Sequence, residues 1–456
     1  MRTRPAISWS DLPGRRVGVW GLGVEGLATV RRLAALGITP ALVDDRPPEG
    51  GLDGRTVTPT GEGGLDALAR CDVVVKTPGI SRYRPEVALI ESGGTPVVGA
   101  LGLWLEEADR DRVVCITGTK GKSTTTAIAG HLLERLGHRV MVGGNLGLPP
   151  YDPQTPTDVD YWVIEVSSYQ ATDVTSSPPV VAVTSLHPDH LTWHRDDPET
   201  YYADKLSLCV QPGADLTVAN GDSPLLRDRR DLLGPRVEWI TADDSGAGGD
   251  WTAGLGLLGA HNHRNALIAR ACLVALGAPG ADDDNALALA AEGFVQLESR
   301  LRPVGTVDGV LFVDDSLSTN VLPTLAAVDA FPGRRVAVIV GGQDRGIDYA
   351  PLADGLTARP TPTLVAITES EAAPRIRAAF EASTPPGAGA GHLVVNGCDD
   401  LDAATRRAFD WARPGGVVLL SPAAPSFDRF RDYRERAAVF TAAVAAIGRA
   451  ADPGLP

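Results

Sequence analysis

Residues 113 to 133 read VVCITGTKGKSTTTAIAGHLL, an apolar run, a glycine-rich turn and a helical segment in that order. Gly118 and Gly121 remove side chains where backbone N–H groups must face phosphate oxygens, and Lys122 can place a positive charge on the β- and γ-phosphates of a nucleotide. Ser123 or Thr124 can offer a hydroxyl to Mg²⁺ at the same place. The spacing is unusual, because only Thr119 and Lys120 separate the first glycine from the Gly-Lys pair, where the common Walker loop has four residues. A second glycine set, Gly21-x-Gly23-x-x-Gly26, is followed 18 residues later by Asp44 at the end of an apolar run. That context fits a dinucleotide or pyrophosphate turn, and a nicotinamide-dependent dehydrogenase is one reading of it. "VVVKTPGI" adds Lys76, Thr77 and Gly79 as donors at the same sheet edge. Glu165, Asp189 and His190 each follow an apolar run and are candidate ligands for magnesium, which prefers oxygen and keeps waters, so that His190 would be an unusual nitrogen ligand.

These residues need a scaffold that brings strand ends together. Short Val/Ile/Leu runs alternate with Ala/Leu/Arg segments of helical period along the whole chain, the pattern of parallel sheets covered by helices. "RRVGVW", "PALVDD" and "VVCIT" read as strands, as do "VLFVDD", "VAVIVGG", "TLVAIT" and "GGVVLLSP". Breaks in the pattern near "EEADRDR" and "ESRLRPVGTVDG" divide the chain into three α/β units, residues 1–108, 109–301 and 302–456. "STPPGAGAG" near residue 385 reads as a surface loop.

Composition narrows the partners. Forty-two basic and fifty-seven acidic residues give a formal net charge of −15, which argues against nucleic acid or an anionic membrane as partner. Five scattered cysteines without CxxC spacing suggest neither a disulfide framework nor a zinc knuckle. The first residues, MRTRPAISWSDLPG, lack an apolar signal core, and no apolar run reaches the roughly 18 residues of a membrane span. A soluble, cytoplasmic, monomeric protein is the expectation.

Ten ordered motifs together resemble one family: "GLGVEG", "GTKGKSTTT", "GGNLG", "IEVSSYQ", "DHLTWH", "YYADKLSL", "GAHNHRN", "DDSLSTN", "GGQDRG" and "LLSPAAPSFDRFRDYRERA". They are similar to those of the Mur ligases, ATP-dependent enzymes that form amide bonds in peptidoglycan precursor synthesis, and most similar to the glutamate-adding members. The resemblance implies a Rossmann-like N-terminal domain for the UDP-sugar, a central P-loop-type ATPase domain and a Rossmann-like C-terminal domain for glutamate. It implies ATP and Mg²⁺ as cofactors, UDP-N-acetylmuramoyl-L-alanine and glutamate as substrates, and an acyl-phosphate intermediate. The shortened loop, Gly118 to Thr124, becomes the ATP loop.

Residue by residue, the resemblance assigns Ser123 and Glu165 to a first magnesium and His190 to a second, with Lys205 carbamylated into an acidic metal ligand. Asn145 and Arg300 would contact phosphate or substrate, Asn262 and Asn265 would face adenine, and Asp315 would reach the nucleotide. Val24, Glu25, Asp45 and Arg46 would line the uridine pocket, closed by Thr77 and Gly79. Thr319, Arg345, Ser426, Phe427 and Tyr433 would hold glutamate. Two departures stand out: Ser299 where relatives usually carry histidine, and Arg302 where many carry an acid. D-Glutamate ligases of the family usually have a lysine at the position of Leu317, so its absence favours L-glutamate, with D-glutamate as the alternative.

Overall fold

The structure, a computed structural model, describes residues 5–243, 251–383 and 392–451. Residues 384–391 of the segment "STPPGAGAG" lie outside the described residues. The chain forms two compact units, Met1–Gly256 with Asn262–Phe294, and Leu257–His261 with Val295–Pro456.

The first unit contains two parallel sheets. One is built from β1 (Val17–Trp20), β2 (Ala41–Asp44), β3 (Thr58–Pro59), β4 (Val73–Lys76) and β5 (Val97–Gly99), in the order β3-β2-β1-β4-β5. Every residue of β1 and β4 is buried, because helices cover both faces, and both strands are apolar apart from Lys76 at the end of β4. Helix α1 (Val24–Ala35) follows β1 directly and packs Ala28, Val30 and Leu33 inward.

The second sheet holds β6 (Val113–Thr117), β7 (Val140–Gly144), β8 (Tyr161–Glu165), β9 (Val180–Val183), β10 (Leu216–Asn220) and β11 (Arg236–Ile240), ordered β11-β10-β9-β6-β8-β7. Here the chain leaves β6 for β7 on one side and later moves from β8 to β9 on the other. The strand order reverses at β6, and the crevice beyond the carboxyl ends at such a switch point is where α/β sheets bind ligands. Helix α2 (Lys122–Arg135) starts there, as do the short α3 (Ser168–Ala171) and the turn after β9. Two further helices frame the region, α4 (Pro198–Leu206) and α5 (Ala260–Ala275).

The second unit carries β12 (Arg302–Val307), β13 (Val310–Asp314), β14 (Val336–Val340), β15 (Thr363–Thr368), β16 (Leu393–Cys398) and β17 (Val417–Leu420) in the order β12-β13-β17-β14-β15-β16. All neighbours are parallel except β12, which runs antiparallel to β13 with a register shift between Pro303 and Gly305. The expected pattern break therefore contains a strand. Pro303 and Gly305 read as turn residues, yet both are tolerated on an edge strand with a bulge. Among the described residues no helix is long and apolar enough to cross a membrane.

Candidate functional site

Strand β6 delivers the chain into a turn that only glycine permits. Gly118 has φ +134° and Gly121 has φ +88°, and a Cβ on Gly118 would stand 2.3 Å from Thr184 Oγ1. Thr119 is held from three sides: its N–H donates to the Ser185 carbonyl at 2.9 Å, its hydroxyl donates to the His187 carbonyl at 3.0 Å, and it lies 2.8 Å from the Tyr201 hydroxyl. Lys120 N–H donates to Ser185 Oγ at 2.8 Å. These bonds fix the loop before any ligand arrives. Lys122 then opens α2, its Nζ 3.2 Å from the Thr119 carbonyl, with Ser123 and Thr124 buried beside it. On α5, Asn265 lies against the loop, close enough that a Cβ on Gly121 would stand 2.8 Å from its Oδ1, and its Nδ2 donates to Asn262 Oδ1 at 3.3 Å. A glycine turn, an aligned lysine and a helix amino terminus make an anion cradle.

Glu165 ends β8 and is 2 % exposed. Its Oε1 accepts from Asn145 Nδ2 at 2.6 Å, while Oε2 is buried with no hydrogen-bond partner among the described residues. A buried carboxylate oxygen left unpaired is costly, and a cation or a water held by one would satisfy it. Lys205, on α4, is 3 % exposed and donates to the Gly118 carbonyl at 2.9 Å. Burial, reinforced by the charge of Lys122, pushes its amine well below the ordinary lysine value. As an ammonium it ligates nothing. A neutral amine, however, is the form that adds CO₂, and the resulting carbamate would supply oxygen donors.

Asp189 and His190 follow β9. Burial raises the Asp189 carboxyl, but Lys120, His190 and Lys205 outweigh it and hold the group below its ordinary value. Lys120 Nζ stands 3.5 Å from Asp189 Oδ2. His190 takes a left-handed conformation, φ +51°, and its side chain is 61 % exposed. Its surroundings still lower its pKa, through desolvation first, with Lys120, Lys205 and Lys122 acting in the same sense against Asp189. Among the described residues no three His, Cys, Asp or Glu side chains gather as a ready-made metal cluster. The expected ligand set fits magnesium through Ser123 and the open oxygen of Glu165, and fits through Lys205 only in its carbamylated form.

The first sheet gives a different picture from the expectation at two acids. Asp44 accepts from Leu22 N at 2.6 Å and from Arg46 N at 2.8 Å, so it clamps its own turn and is not free for a nicotinamide ribose. Glu25 turns inward: Tyr151 OH donates to Oε2 at 3.0 Å and Gln170 Nε2 to Oε1 at 2.8 Å. Burial raises its pKa to about 7. Both its oxygens are thus engaged, tying α1 to α3 and to the loop after β7. Asp45 accepts from Thr60 Oγ1 at 2.7 Å and pairs with Arg84 at 2.6 Å. Val24 is 72 % exposed and Arg46 is exposed, as a surface meeting a ligand requires. The Thr77 hydroxyl closes on Gly21, where a Cβ would stand 2.1 Å away, and among the described residues nothing lies within 4 Å of a Cβ built on Gly79.

Arg300, Asp315, Thr319, Arg345, Ser426, Phe427 and Tyr433 belong to the second unit. Asp315 is engaged within it: Leu301 N donates to Oδ1 at 3.0 Å and Ser421 Oγ to Oδ2 at 2.7 Å. Burial raises this carboxyl to about 7. Ser299, the departure from the family pattern, donates to Asp314 Oδ2 at 2.9 Å, so its short side chain braces the turn. "GGQDRG" and "LLSPAAPSFD" meet in space: a Cβ on Gly342 would stand 2.1 Å from the Pro425 carbonyl, and the Arg345 guanidinium lies 5.5 Å from the Phe427 ring centroid. Arg345 is exposed and Phe427 is 57 % exposed, both available to a ligand, whereas Ser426 is 2 % exposed and sits inside the loop. Thr319 and Tyr433 are half-buried.

Sequence reasoning passed over Tyr201, Thr184 and Ser185, which tether the phosphate loop, and His194 with Asp204 beneath it. A signal existed for Tyr201, since it stands four residues before Lys205 and therefore on the same helix face.

Residues 15–99 match the family description "Mur ligase MurD-like, N-terminal domain", residues 116–252 "Mur ligase middle domain" and residues 299–424 "Mur ligase, glutamate ligase domain". A UDP-N-acetylmuramoyl-L-alanine--L-glutamate ligase of a Micromonospora strain is 40 % identical, the match covering 95 % of this chain and 97 % of the relative. A relative of the same name from Salinispora tropica is 39 % identical over 95 % of this chain and 98 % of its own. Among solved structures, the MurF ligase of Thermotoga maritima in complex with ADP has a TM-score of 0.55 at 16 % identity, covering 98 % of this chain and 99 % of that one, a likeness of fold.

Proposed function

The chain belongs to the Mur ligase family, and we propose that it joins L-glutamate to UDP-N-acetylmuramoyl-L-alanine, with ATP converted to ADP and phosphate. The observation that carries this reading is the 40 % identity, spread across 95 % of the chain, to a relative named for L-glutamate. Leu317 supports it, because a D-glutamate ligase of this family usually offers a lysine there. Exposed Arg345 beside Phe427 supplies a fork that can grip a carboxylate with two hydrogen bonds.

The chemistry follows from the cradle. A carboxylate is a poor electrophile, so its oxygen first attacks the γ-phosphorus of ATP, breaking the bond to the bridging oxygen and releasing ADP. The glutamate amine then attacks the acyl carbon, loses a proton to solvent, and phosphate departs as the amide forms. Lys122 and the N–H groups around Gly118 and Gly121 face the charge that builds on the transferring group, where positioning and electrostatics supply most of the rate. Ser123 and Glu165 would hold one Mg²⁺ and His190 a second, with carbamylated Lys205 as an acidic ligand, and the metal would supply charge neutralisation to the phosphates. Asn145 orients Glu165 for that task through its 2.6 Å hydrogen bond. The domain limits proposed for these roles are 1–108, 109–301 and 302–456.

Incubation with UDP-N-acetylmuramoyl-L-alanine, ATP, Mg²⁺ and each glutamate enantiomer tests the reading. ADP release and coupled product with L-glutamate are expected. A kcat/KM favouring D-glutamate would overturn the enantiomer and leave the ligase; no ADP with either would overturn both.

A further inference from the structure

The reaction described above leaves a buried polar cluster unused, although its contacts lead to the phosphate loop, to α3 and to the loop after β4. His194 is 0 % exposed and engages both ring nitrogens, Nδ1 with Asp204 Oδ2 at 2.6 Å and Nε2 with Ser168 Oγ at 3.2 Å. Three rings enclose it: Trp193, Tyr201 and Tyr169, at centroid distances of 4.6, 5.1 and 5.7 Å. The other Asp204 oxygen accepts from Tyr83 OH at 2.7 Å. Each partner leads to a different piece of the site. Ser168 opens α3, three residues after Glu165. Tyr201 reaches Thr119 of the phosphate loop. Tyr83 belongs to the loop after β4 that carries Thr77 and Gly79, and Trp193 Nε1 donates to the Pro78 carbonyl of that loop at 3.0 Å.

We propose that His194 and Asp204 are positioning residues for Lys205, holding the last turn of α4 in one rotation about its axis so that Lys205 meets the phosphate loop. This rests on the ligase reading. The physical case is one of degrees of freedom. α4 has nine residues, and Asp197 caps its start through Glu199 N at 3.2 Å and Thr200 N at 3.0 Å. At its far end Asp204 and Lys205 are adjacent and point about 100° apart around the helix. Lys205 is a long side chain with several rotatable bonds and would not by itself fix the helix. Asp204 does so: it is 8 % exposed, and both its oxygens have hydrogen-bond donors from outside α4. A buried carboxylate that loses one donor keeps its desolvation penalty, so the helix cannot turn away cheaply. The same cluster ties the loop after β4 to α4, which places the proposed sugar-nucleotide turn and the lysine in one register.

The test compares wild-type protein with Asp204→Asn, His194→Gln and Tyr83→Phe, measuring kcat, KM for ATP and glutamate, ADP affinity by calorimetry and the thermal midpoint. Tyr83→Phe removes a single hydroxyl and guards against a variant that fails to fold. A misplacement near 1 Å costs up to about a hundredfold, so kcat is expected to fall by about tenfold to a hundredfold in Asp204→Asn and by less in Tyr83→Phe, with both KM values and ADP affinity kept within about twofold. A lowered midpoint with unchanged kcat per folded molecule would reduce the cluster to fold support and overturn the proposal. Loss of ADP affinity alongside kcat would overturn it too, by moving the effect to the phosphate loop. Wild-type protein inert with both glutamate enantiomers would instead bring down the ligase reading itself.

Discussion

Lys122 and Lys205 approach the same loop with opposite environments. Lys122 begins a fourteen-residue helix on a partly open face, where a cation can meet phosphate. Lys205 is buried against the Gly118 carbonyl and held toward its neutral form. Lys122→Ala is therefore expected to fold normally and lose at least about a hundredfold in kcat, the usual loss when one preorganised charge is removed from developing negative charge. Steady-state rates beside a thermal midpoint check it, and a near-normal kcat would remove the loop from the chemistry. Asp315 behaves differently, because its folded carboxyl ionises near 7 while the same group in an unfolded chain ionises near 3.9. The folded form thus keeps the proton between those values, and its contribution to stability is lost as pH rises from about 4 to about 7. Asp315→Asn removes the titrating group. Its thermal midpoint is expected to change less than that of the wild type between pH 5 and 8, and an unaltered pH profile would contradict the assignment.

Elements decide which of these residues the sequence reveals. The phosphate loop is legible because strand, glycines, lysine and helix are consecutive, the glycines dictated by backbone geometry and the lysine by charge. Glu25 is not legible, since its partners Tyr151 and Gln170 lie 126 and 145 residues away. Nothing local tells an acid at a helix start whether it faces a ligand or a neighbouring element. Strand β12 escaped for a related reason: its Pro303 and Gly305 carry turn chemistry that only an edge position forgives. The place of β17 between β13 and β14 is likewise set by long-range pairing, not by its sequence, which continues the series plainly. Glu25 supplies a prediction at this scale. Its carboxyl, raised to about 7 by burial, is ionised at pH 8 inside the junction of α1 with α3 and the loop after β7. Glu25→Gln keeps the shape, with an amide oxygen for Gln170 and an amide N–H for Tyr151. The thermal midpoint at pH 8 is expected to rise above wild type, and the gap to close as pH falls toward 5, where the wild-type carboxyl is already protonated. A variant less stable than wild type at pH 8 would mean that the charge itself holds the junction.

Over the whole molecule, a net charge of −15 works against three anionic substrates, so attraction must come from cations fixed beside each site. The cations proposed for that task are divided between two compact units: Lys120 and Lys122 lie in one, Arg345 in the other. Each unit has its own hydrophobic core, one beneath β14 and β15 around Val338, Leu352, Val365 and Ile376, the other running from Trp9 through Val113 to Leu208. Units built this way can unfold separately, and a ligand stabilises whichever one it binds. ADP with Mg²⁺ at about a hundred times its Kd is worth about 2.7 kcal/mol to the folded form of the unit that holds it. Scanning calorimetry of the wild-type chain is therefore expected to show ADP raising the transition of the unit with Lys122, identified by its response to Glu25→Gln. The transition that answers to Asp315→Asn is expected to move less. In Lys122→Ala the ADP shift should shrink, because part of the binding charge is gone. Equal shifts of both transitions in wild type would mean that the nucleotide is gripped by the two units together, and that the phosphate loop alone is not the seat of its affinity.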